Sequence, residues 1–184
     1  LALSCAVAID MATATGSADW QARAAFLTPI AKAHGTDIGC EVSHLGVQIH
    51  GGNGFVHDYP AEGHYRDARV NRIFEGTNEI NRLLIPGMFA KRAVKGTLPI
   101  IAAARALQDE LLSPTLDVPG DGPLDAARKA VTGMKKTALM VLGTAMQTYG
   151  EKLPDQQEVL SLASDIIMDV FLAESALARA GQAG

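Results

Sequence analysis

The sequence has few cysteines, few basic residues and no long apolar run. Cys5 and Cys40 are its only two cysteines, and because they lack metal-type spacing we expect buried thiols in a reducing compartment. There are 16 Lys and Arg and 20 Asp and Glu, for a net charge of -4. This balance argues against nucleic-acid binding, because phosphate contacts need a basic face. No apolar run reaches the roughly 20 residues of a membrane-spanning helix.

The rest of the composition is typical of a globular chain. Apolar residues make up 48% of its 184 residues, which suffices to bury the core of one domain or slightly more. Apolar residues recur at helical spacing, and no segment alternates apolar and polar residues, so the sequence predicts an all-α fold. The first helical pattern begins at Leu3 with no capping residue before it. We therefore interpret the chain as the C-terminal piece of a longer protein.

A long helix is predicted to begin at Thr28 and Pro29. The Thr28 hydroxyl can cap the helix, and proline at the first helical position loses no hydrogen bond. Gly51 and Gly52 end the helix. The residues that mark one face of it are Ile30, His34, Ile38, Val42, Leu45 and Ile49.

Shorter elements are predicted after this helix. In chain order they are a loop at 51–60, a short polar helix through 65–69, an extended stretch at 70–74, helices at 77–92 and 100–111, a Pro- and Gly-rich linker at 113–123, and two long helices at 124–149 and 156–180. Helices joined by a short turn pack antiparallel, so the last two are expected to form a hairpin.

The candidate chemistry lies between residues 48 and 82, where polar residues and glycines are dense. Glu75 stands immediately before a predicted helix start at Gly76 and Thr77, beside backbone N–H groups. Its neighbours Ile73 and Phe74 suggest an apolar setting that raises the pKa of Glu75 toward that of a general base. The alternative is that Glu75 only complements the helix dipole.

Three sequence blocks resemble the C-terminal helical domain of the flavin-dependent acyl-CoA dehydrogenases. They occur in the family's order and spacing within 35 residues: Gln48-Ile-His-Gly-Gly-Asn-Gly-Phe55, Tyr65-Arg-Asp-Ala-Arg-Val70 and Arg72-Ile-Phe-Glu-Gly-Thr-Asn-Glu-Ile-Asn-Arg82. Residues 96–184 resemble, more loosely, the helical extension of the very-long-chain type and of large bacterial relatives. The resemblance implies an all-α helical bundle at 1–95, truncated at its N-terminus, followed by a helical extension at 96–184 that ends in the hairpin.

The resemblance implies a catalytic role for Glu75. It corresponds to the family's base, which removes the α-proton of an acyl thioester while hydride leaves the β-carbon for flavin N5. In the family the backbone N–H of this glutamate also helps to stabilise the thioester oxygen as charge develops. Gly76 then lies against the bound acyl-CoA, where the absence of a side chain leaves room.

Other positions correspond to flavin contacts of the family. Thr77 and Glu79 fall where the family contacts its own flavin, at a helix N-terminus suited to phosphate. Gln48, Gly51 and Gly52 fall where it contacts the adenosine diphosphate half of the neighbouring subunit's flavin. The site is therefore expected to need an oligomer.

The resemblance also implies the cofactor and partners. These are FAD, an acyl-CoA substrate, electron-transfer flavoprotein as acceptor, and a homodimer or homotetramer, in the cytoplasm of a bacterium or the mitochondrial matrix of a eukaryote. The extension suggests a long-chain or unusual acyl group. No substrate contact is assigned at Pro86 and Gly87, where some medium-chain members carry arginine. Because the family's N-terminal and middle domains are not among these residues, we expect the isolated chain neither to bind flavin tightly nor to turn over.

Several alternatives remain open beside this interpretation. His50, His57 and His64 recur at seven-residue spacing, but a glycine loop interrupts them, so we expect no metal site; a metal-dependent hydrolase is the third alternative. The 66–69 segment, with Arg66, Asp67 and Arg69, is expected to form an ion-pair cluster that braces Glu75. Membrane contact is not expected, because the polar face of the last helix is acidic. A non-enzymatic helical module for oligomerisation or partner docking is the main rival.

Overall fold

The computed structural model describes residues 1–113, 120 and 122–183, the side chain of residue 183 excepted. Within these residues the chain is helical and has no strand, which confirms the predicted all-α fold. The α-helices are α1 (Ala2–Thr15), α2 (Ala18–His50), α3 (Gly52–Phe55), α4 (Ala61–Val70), α5 (Asn78–Val94), α6 (Ile100–Leu112), α7 (Asp125–Tyr149) and α8 (Gln157–Ala183), with a 3-10 helix at Gly150–Asp155 between the last two.

The chain divides into two compact units. The first unit is Ala2–Arg82, and the second begins at Leu83, so the division falls within α5. The predicted boundary between residues 95 and 96 remains a prediction. All the candidate site residues lie in the first unit.

Helix α2 passes through the predicted helix start at Thr28 and Pro29, so that prediction is wrong. The Thr28 hydroxyl donates to the Ala24 carbonyl at 2.7 Å instead of capping a helix. Pro29 removes a backbone N–H, which costs a helix about 3 kcal/mol, but buried Leu27 and Ile30 on either side keep the segment helical through packing. The helix therefore extends over 33 residues, about 50 Å.

The predicted apolar face of α2 is buried only at its beginning. Helices α1 and α4 pack against α2, and Ile30 is fully buried. Farther along, Val42 and Leu45 are exposed, and Ile49 is 83% exposed. The second half of this face is therefore uncovered in the chain as it stands.

Residues 71–77 form a turn between α4 and α5, and the extended stretch predicted at 70–74 is wrong. The Val70 carbonyl accepts hydrogen bonds from the N–H groups of Ile73 at 2.9 Å and Phe74 at 3.2 Å. These bonds continue the helical turn beyond the end of α4, so the apolar residues do not extend. The loop predicted at 51–60 contains one short helix, α3.

The second unit has α7 at its centre, with α6 and α8 packed against it. The contact between α7 and α8 confirms the predicted hairpin. The buried residues of its core include Ala93, Ile100, Leu142, Ala145, Leu153 and Leu160. Most of the linker predicted at 113–123 lies outside the described residues.

Two further expectations concern the cysteines and the absence of a membrane-spanning helix. Cys5 and Cys40 are both buried, free thiols. Over the ranges that the structure covers, no helix is both long enough and apolar enough to cross a membrane.

Candidate active site

Glu75 lies in the turn before α5 with a left-handed backbone conformation. Its φ is 52°, and among the described residues no other non-glycine residue has a positive φ. This conformation costs a residue with a Cβ roughly 1–2 kcal/mol, and such strain persists only where surrounding contacts impose it, often at functional sites. Gly76 follows with φ of 90°, which glycine adopts without that cost.

Asn78, the first residue of α5, holds the turn against α2. Its side chain is fully buried, and its amide nitrogen donates to the Ala33 carbonyl at 3.1 Å and the Asp37 carboxylate at 2.9 Å. Its amide oxygen accepts from Lys32 Nζ at 2.8 Å. The backbone N–H of Asn78 donates to the Arg72 carbonyl at 3.1 Å and so closes the turn. A buried amide with these partners fixes the start of α5 on α2.

Asp37 of α2 binds an arginine on either side of the turn. Its Oδ1 is 2.6 Å from Arg72 Nε, and its Oδ2 is 2.8 Å from an Nη of Arg82. Partial burial by itself raises the pKa of Asp37, but hydrogen bonds from Arg82 and Asn78 and the charges of both arginines outweigh it and hold the pKa below its usual 3.8. Asp37 is therefore ionised at neutral pH.

The first N–H groups of α5 already have acceptors within the chain. The N–H of Ile80 donates to Thr77 Oγ1 at 3.2 Å, so Thr77 caps the helix. The Glu79 carboxylate accepts from its own backbone N–H and from the Thr77 hydroxyl, and these bonds lower the pKa of Glu79. The N–H of Asn78 donates to the Arg72 carbonyl, and the phosphate contact expected at this helix end stays a prediction. Thr77 and Glu79 remain predicted flavin contacts through their side chains.

The backbone N–H groups of Glu75, Gly76 and Thr77 differ from the first N–H groups of α5 in their hydrogen bonding. Within the part of the chain that the structure describes, none of them has a hydrogen-bond acceptor. Glu75 and Gly76 are also exposed. These donors are therefore available to an oxygen atom of a bound molecule, at the point where Glu75 presents its carboxylate.

The predicted apolar setting of Glu75 is wrong for this chain. Ile73 is 54% exposed, Phe74 is 46% exposed, and Glu75 itself is exposed. The reason is local: residues 71–77 form a surface turn, and no described element covers its outer side.

Gln48, Gly51 and Gly52 form a separate exposed group at the end of α2. Gly51 ends the helix with φ of 58°, and its N–H donates to the Gln48 carbonyl at 3.2 Å. A Cβ added at either glycine would have no atom within 4 Å, so their backbone is open to a ligand. The group lies about 17 Å along α2 from Asp37, at 1.5 Å per residue.

Sequence reasoning missed Asp37 and misplaced the ion pairs. Over the described residues, Arg66, Asp67 and Arg69 form no ion pair, so the predicted cluster is wrong. Arg72 and Arg82 carry the charges that brace the turn. The sequence offered one signal for this role, since Arg72 and Arg82 both lie within the third block. Their partner Asp37, however, is distant in the sequence.

The histidines do not converge on a metal site. His57 Nδ1 is 2.5 Å from Glu62 Oε1, and His57 is highly exposed. Across the ranges described above, no group of three or more His, Cys, Asp and Glu side chains could hold a metal ion.

Comparisons with known proteins cover most of the chain. Residues 4–87 match the family model described as "Acyl-CoA dehydrogenase, C-terminal domain", and residues 133–184 match a second family model with the same description. The candidate site residues all lie within the first match.

Individual proteins that are similar to this chain are also named as acyl-CoA dehydrogenases. A probable acyl-CoA dehydrogenase of Bacillus subtilis (strain 168) is 48% identical over 138 residues, which are 75% of this chain and 23% of that protein. The human mitochondrial short-chain specific acyl-CoA dehydrogenase is 50% identical over 58 residues, 32% of this chain and 14% of that protein. The crystal structure of an acyl-CoA dehydrogenase complexed with FAD from Bacillus anthracis superposes with a TM-score of 0.83 at 43% identity and covers 90% of this chain and 28% of that one. The chain thus spans about a quarter, or less, of the length of these relatives.

Proposed function

Since the chain belongs to the acyl-CoA dehydrogenase family, we propose that it forms the C-terminal helical region of an FAD-dependent acyl-CoA dehydrogenase with Glu75 as the catalytic base. The observation that carries the proposal is the left-handed backbone of Glu75. A strained glutamate held by a buried hydrogen-bond network is typical of a residue whose position matters for chemistry. A glutamate that only complemented the helix dipole would need no such conformation.

Glu75 removes the α-proton of the acyl thioester in this proposal. A thioester α-carbon is a weak acid, so the negative charge that develops on the carbonyl oxygen has to be stabilised. The unpaired N–H of Glu75 is a suitable donor for that oxygen. Gly76, exposed and without a side chain, leaves the acyl-CoA room to lie against the turn.

FAD, when bound, supplies the acceptor for the hydride that leaves the β-carbon. The residues proposed to hold it are of two kinds. Thr77 and Glu79 offer a hydroxyl and a carboxylate beside Glu75. Gln48, Gly51 and Gly52 offer an exposed amide and open backbone at the end of α2, which suits the diphosphate and adenosine of a flavin held by a neighbouring subunit.

The partners follow from the same proposal. We propose a homodimer or homotetramer, acyl-CoA as the substrate and electron-transfer flavoprotein as the electron acceptor. The compartment is the cytoplasm for a bacterial protein and the mitochondrial matrix for a eukaryotic one. Residues 96–184 are proposed to favour a long acyl chain. Comparing acyl-CoA thioesters of several lengths tests that last point directly.

A second candidate function is assembly without catalysis. The exposed apolar face of α2, with Val42, Leu45 and Ile49, favours docking against another protein surface. Size-exclusion chromatography of the chain with and without residues 96–184 tests which part assembles: loss of assembly on deletion would favour a docking role for the extension, and assembly that persists would favour the α2 face.

Replacing the base in the full-length dehydrogenase that carries this chain tests the main proposal. Glu75→Gln keeps the size of the side chain and removes its basicity, so turnover is expected to fall about 100- to 10,000-fold while the visible spectrum shows flavin still bound. Glu41→Gln, the same change at an exposed position of α2, is the control and retains full turnover. A fully active Glu75→Gln enzyme would refute the assignment of the base.

The isolated chain gives a second test. We expect the purified 184-residue chain to show no flavin absorbance and no reduction of an artificial acceptor by acyl-CoA. A yellow, active preparation would show that this chain alone suffices.

A further inference from the structure

We propose that Asp37 is a positioning residue for the reaction, which holds the turn at 71–77 on α2 so that the Glu75 carboxylate is fixed relative to the substrate. This inference rests on the proposed role of Glu75. Asp37 lies on a different helix, α2, and precedes the three sequence blocks at 48–82.

The geometry of the Asp37 carboxylate carries the inference. Each of its oxygens binds a different guanidinium, Oδ1 that of Arg72 at 2.6 Å and Oδ2 that of Arg82 at 2.8 Å. Arg72 precedes Glu75 in the chain and Arg82 follows it, so a single carboxylate fixes both flanks of the turn. Charge-assisted bonds of this kind are stronger and more directional than neutral ones.

Asn78 extends the same network. Its buried amide donates to the Asp37 carboxylate at 2.9 Å and to the Ala33 carbonyl at 3.1 Å. Asp37 therefore contacts the side chains of three residues, before and after Glu75, and its own side chain is only 22% exposed. These contacts and this partial burial distinguish Asp37 from a residue of a surface ion pair, which contributes little to either stability or geometry.

Other contacts of the turn also come from its flanks: the N–H of Asn78 donates to the Arg72 carbonyl at 3.1 Å, and the Asn81 amide donates to the carbonyls of Gly76 and Thr77, both at 3.0 Å. The N–H groups of Glu75, Gly76 and Thr77 have no acceptor among the described residues, and Ile73, Phe74 and Glu75 are exposed. The strained φ of Glu75 is then maintained chiefly from its flanks. Loss of the Asp37 charge would release one flank or both and let the backbone at Glu75 relax.

Asp37→Asn in the full-length FAD-bound dehydrogenase tests the inference. The variant preserves shape but removes the charge, so Glu75 is expected to move relative to the substrate. Because small displacements of a reacting group are costly, we expect kcat to fall about 10- to 100-fold, with flavin content and KM unchanged. The kinetic isotope effect on kcat for substrate deuterated at the α-carbon is expected to increase, because proton removal becomes more rate-limiting.

Two further variants sharpen the test. Asp125→Asn is the matched control, because the Asp125 carboxylate likewise binds an arginine, Arg128 at 3.0 Å, and accepts a second hydrogen bond, from the Gly122 N–H at 3.1 Å, but in the other unit. It is expected to leave kcat unchanged. Asp37→Glu keeps the charge on a longer side chain and is expected to recover part of the lost kcat. Absence of any recovery would count against positioning through this charge.

The series also separates this inference from the proposed function. If Glu75→Gln retains turnover, the assignment of the base fails and the inference falls with it. If Glu75→Gln loses turnover but Asp37→Asn keeps full kcat per bound flavin, only the positioning role is overturned. A variant that merely lost flavin or thermal stability, with normal kcat and isotope effect in the remaining holoenzyme, would show that Asp37 is structural and would also overturn it.

Discussion

The left-handed backbone of Glu75 predicts that replacing this residue by glycine stabilises the chain. Glu75→Gly and Glu75→Ala both remove the carboxylate, but only glycine also removes the Cβ that opposes a positive φ. The relief is roughly 1–2 kcal/mol, and the greater entropy of glycine in the unfolded chain takes back about 0.5–1 kcal/mol. At the centre of these ranges the glycine variant is therefore expected to be more stable than the alanine variant by about 0.75 kcal/mol, or roughly 3–6 °C in melting temperature.

The chain contains a fluorescent reporter of unfolding, Trp20, and a control position for the two substitutions, Glu41. Trp20 is the only tryptophan and lies in the same unit as Glu75, so urea denaturation followed by tryptophan fluorescence measures the unfolding of that unit. Glu41 is an exposed residue inside α2, where glycine is expected to be less stable than alanine by about 1 kcal/mol. The same pair of substitutions should thus have opposite signs at the two positions.

The refuting result is equally definite. If Glu75→Gly is no more stable than Glu75→Ala, the turn is not strained at this residue. The positive φ of Glu75 would then not indicate that a functional requirement maintains an unfavourable conformation, even if Glu75 proved to be the base.

Two further predictions concern the same unit. A Cβ at Gly54 would lie 2.4 Å from the Val47 carbonyl oxygen, whereas a Cβ at Gly39 in α2 would have no atom within 4 Å. Gly54→Ala should therefore lower the free energy of unfolding by about 1–3 kcal/mol, and Gly39→Ala should raise it by about 1 kcal/mol. Equal effects of the two substitutions in urea titrations would contradict this prediction. Because the pKa of Asp37 is lower in the folded chain than its usual 3.8, its carboxylate stabilises the fold above that pH and loses the contribution as pH falls through and below it. The stability difference between the native chain and Asp37→Asn should narrow from pH 6 to pH 3, and a constant difference would show that the charge of Asp37 does not contribute.

Local sequence signals predicted most of the helices. The all-α fold, the end of α2 at Gly51 and the α7 and α8 hairpin follow from apolar spacing, glycine and proline, which act over a few residues. The failures occur where tertiary packing outweighs a local signal. Thr28 and Pro29 form a good helix start in isolation, but Leu27 and Ile30 are buried on either side, and that packing outweighs the loss of one hydrogen bond.

The candidate site was only partly accessible from the sequence. The resemblance located Glu75 and its neighbours, since the three blocks are contiguous stretches of residues. It did not reveal Asp37, because nothing near Arg72 or Arg82 in the sequence indicates a partner on a helix some 35 to 45 residues earlier. The expected enclosure of Glu75 by Ile73 and Phe74 also failed, because a chain neighbour need not be a spatial neighbour.

The order of residues by itself determined that this protein is helical. It also determined where most helices end and that a glutamate precedes the N-terminus of α5. These properties depend on hydrogen bonds and apolar periodicity within a few turns of helix. Only the tertiary structure decided that Glu75 has a left-handed backbone and that Asp37 and Asn78 hold its flanks. The physical reason is that a strained turn needs contacts from a second helix to maintain it, and those contacts exist only once the chain has folded.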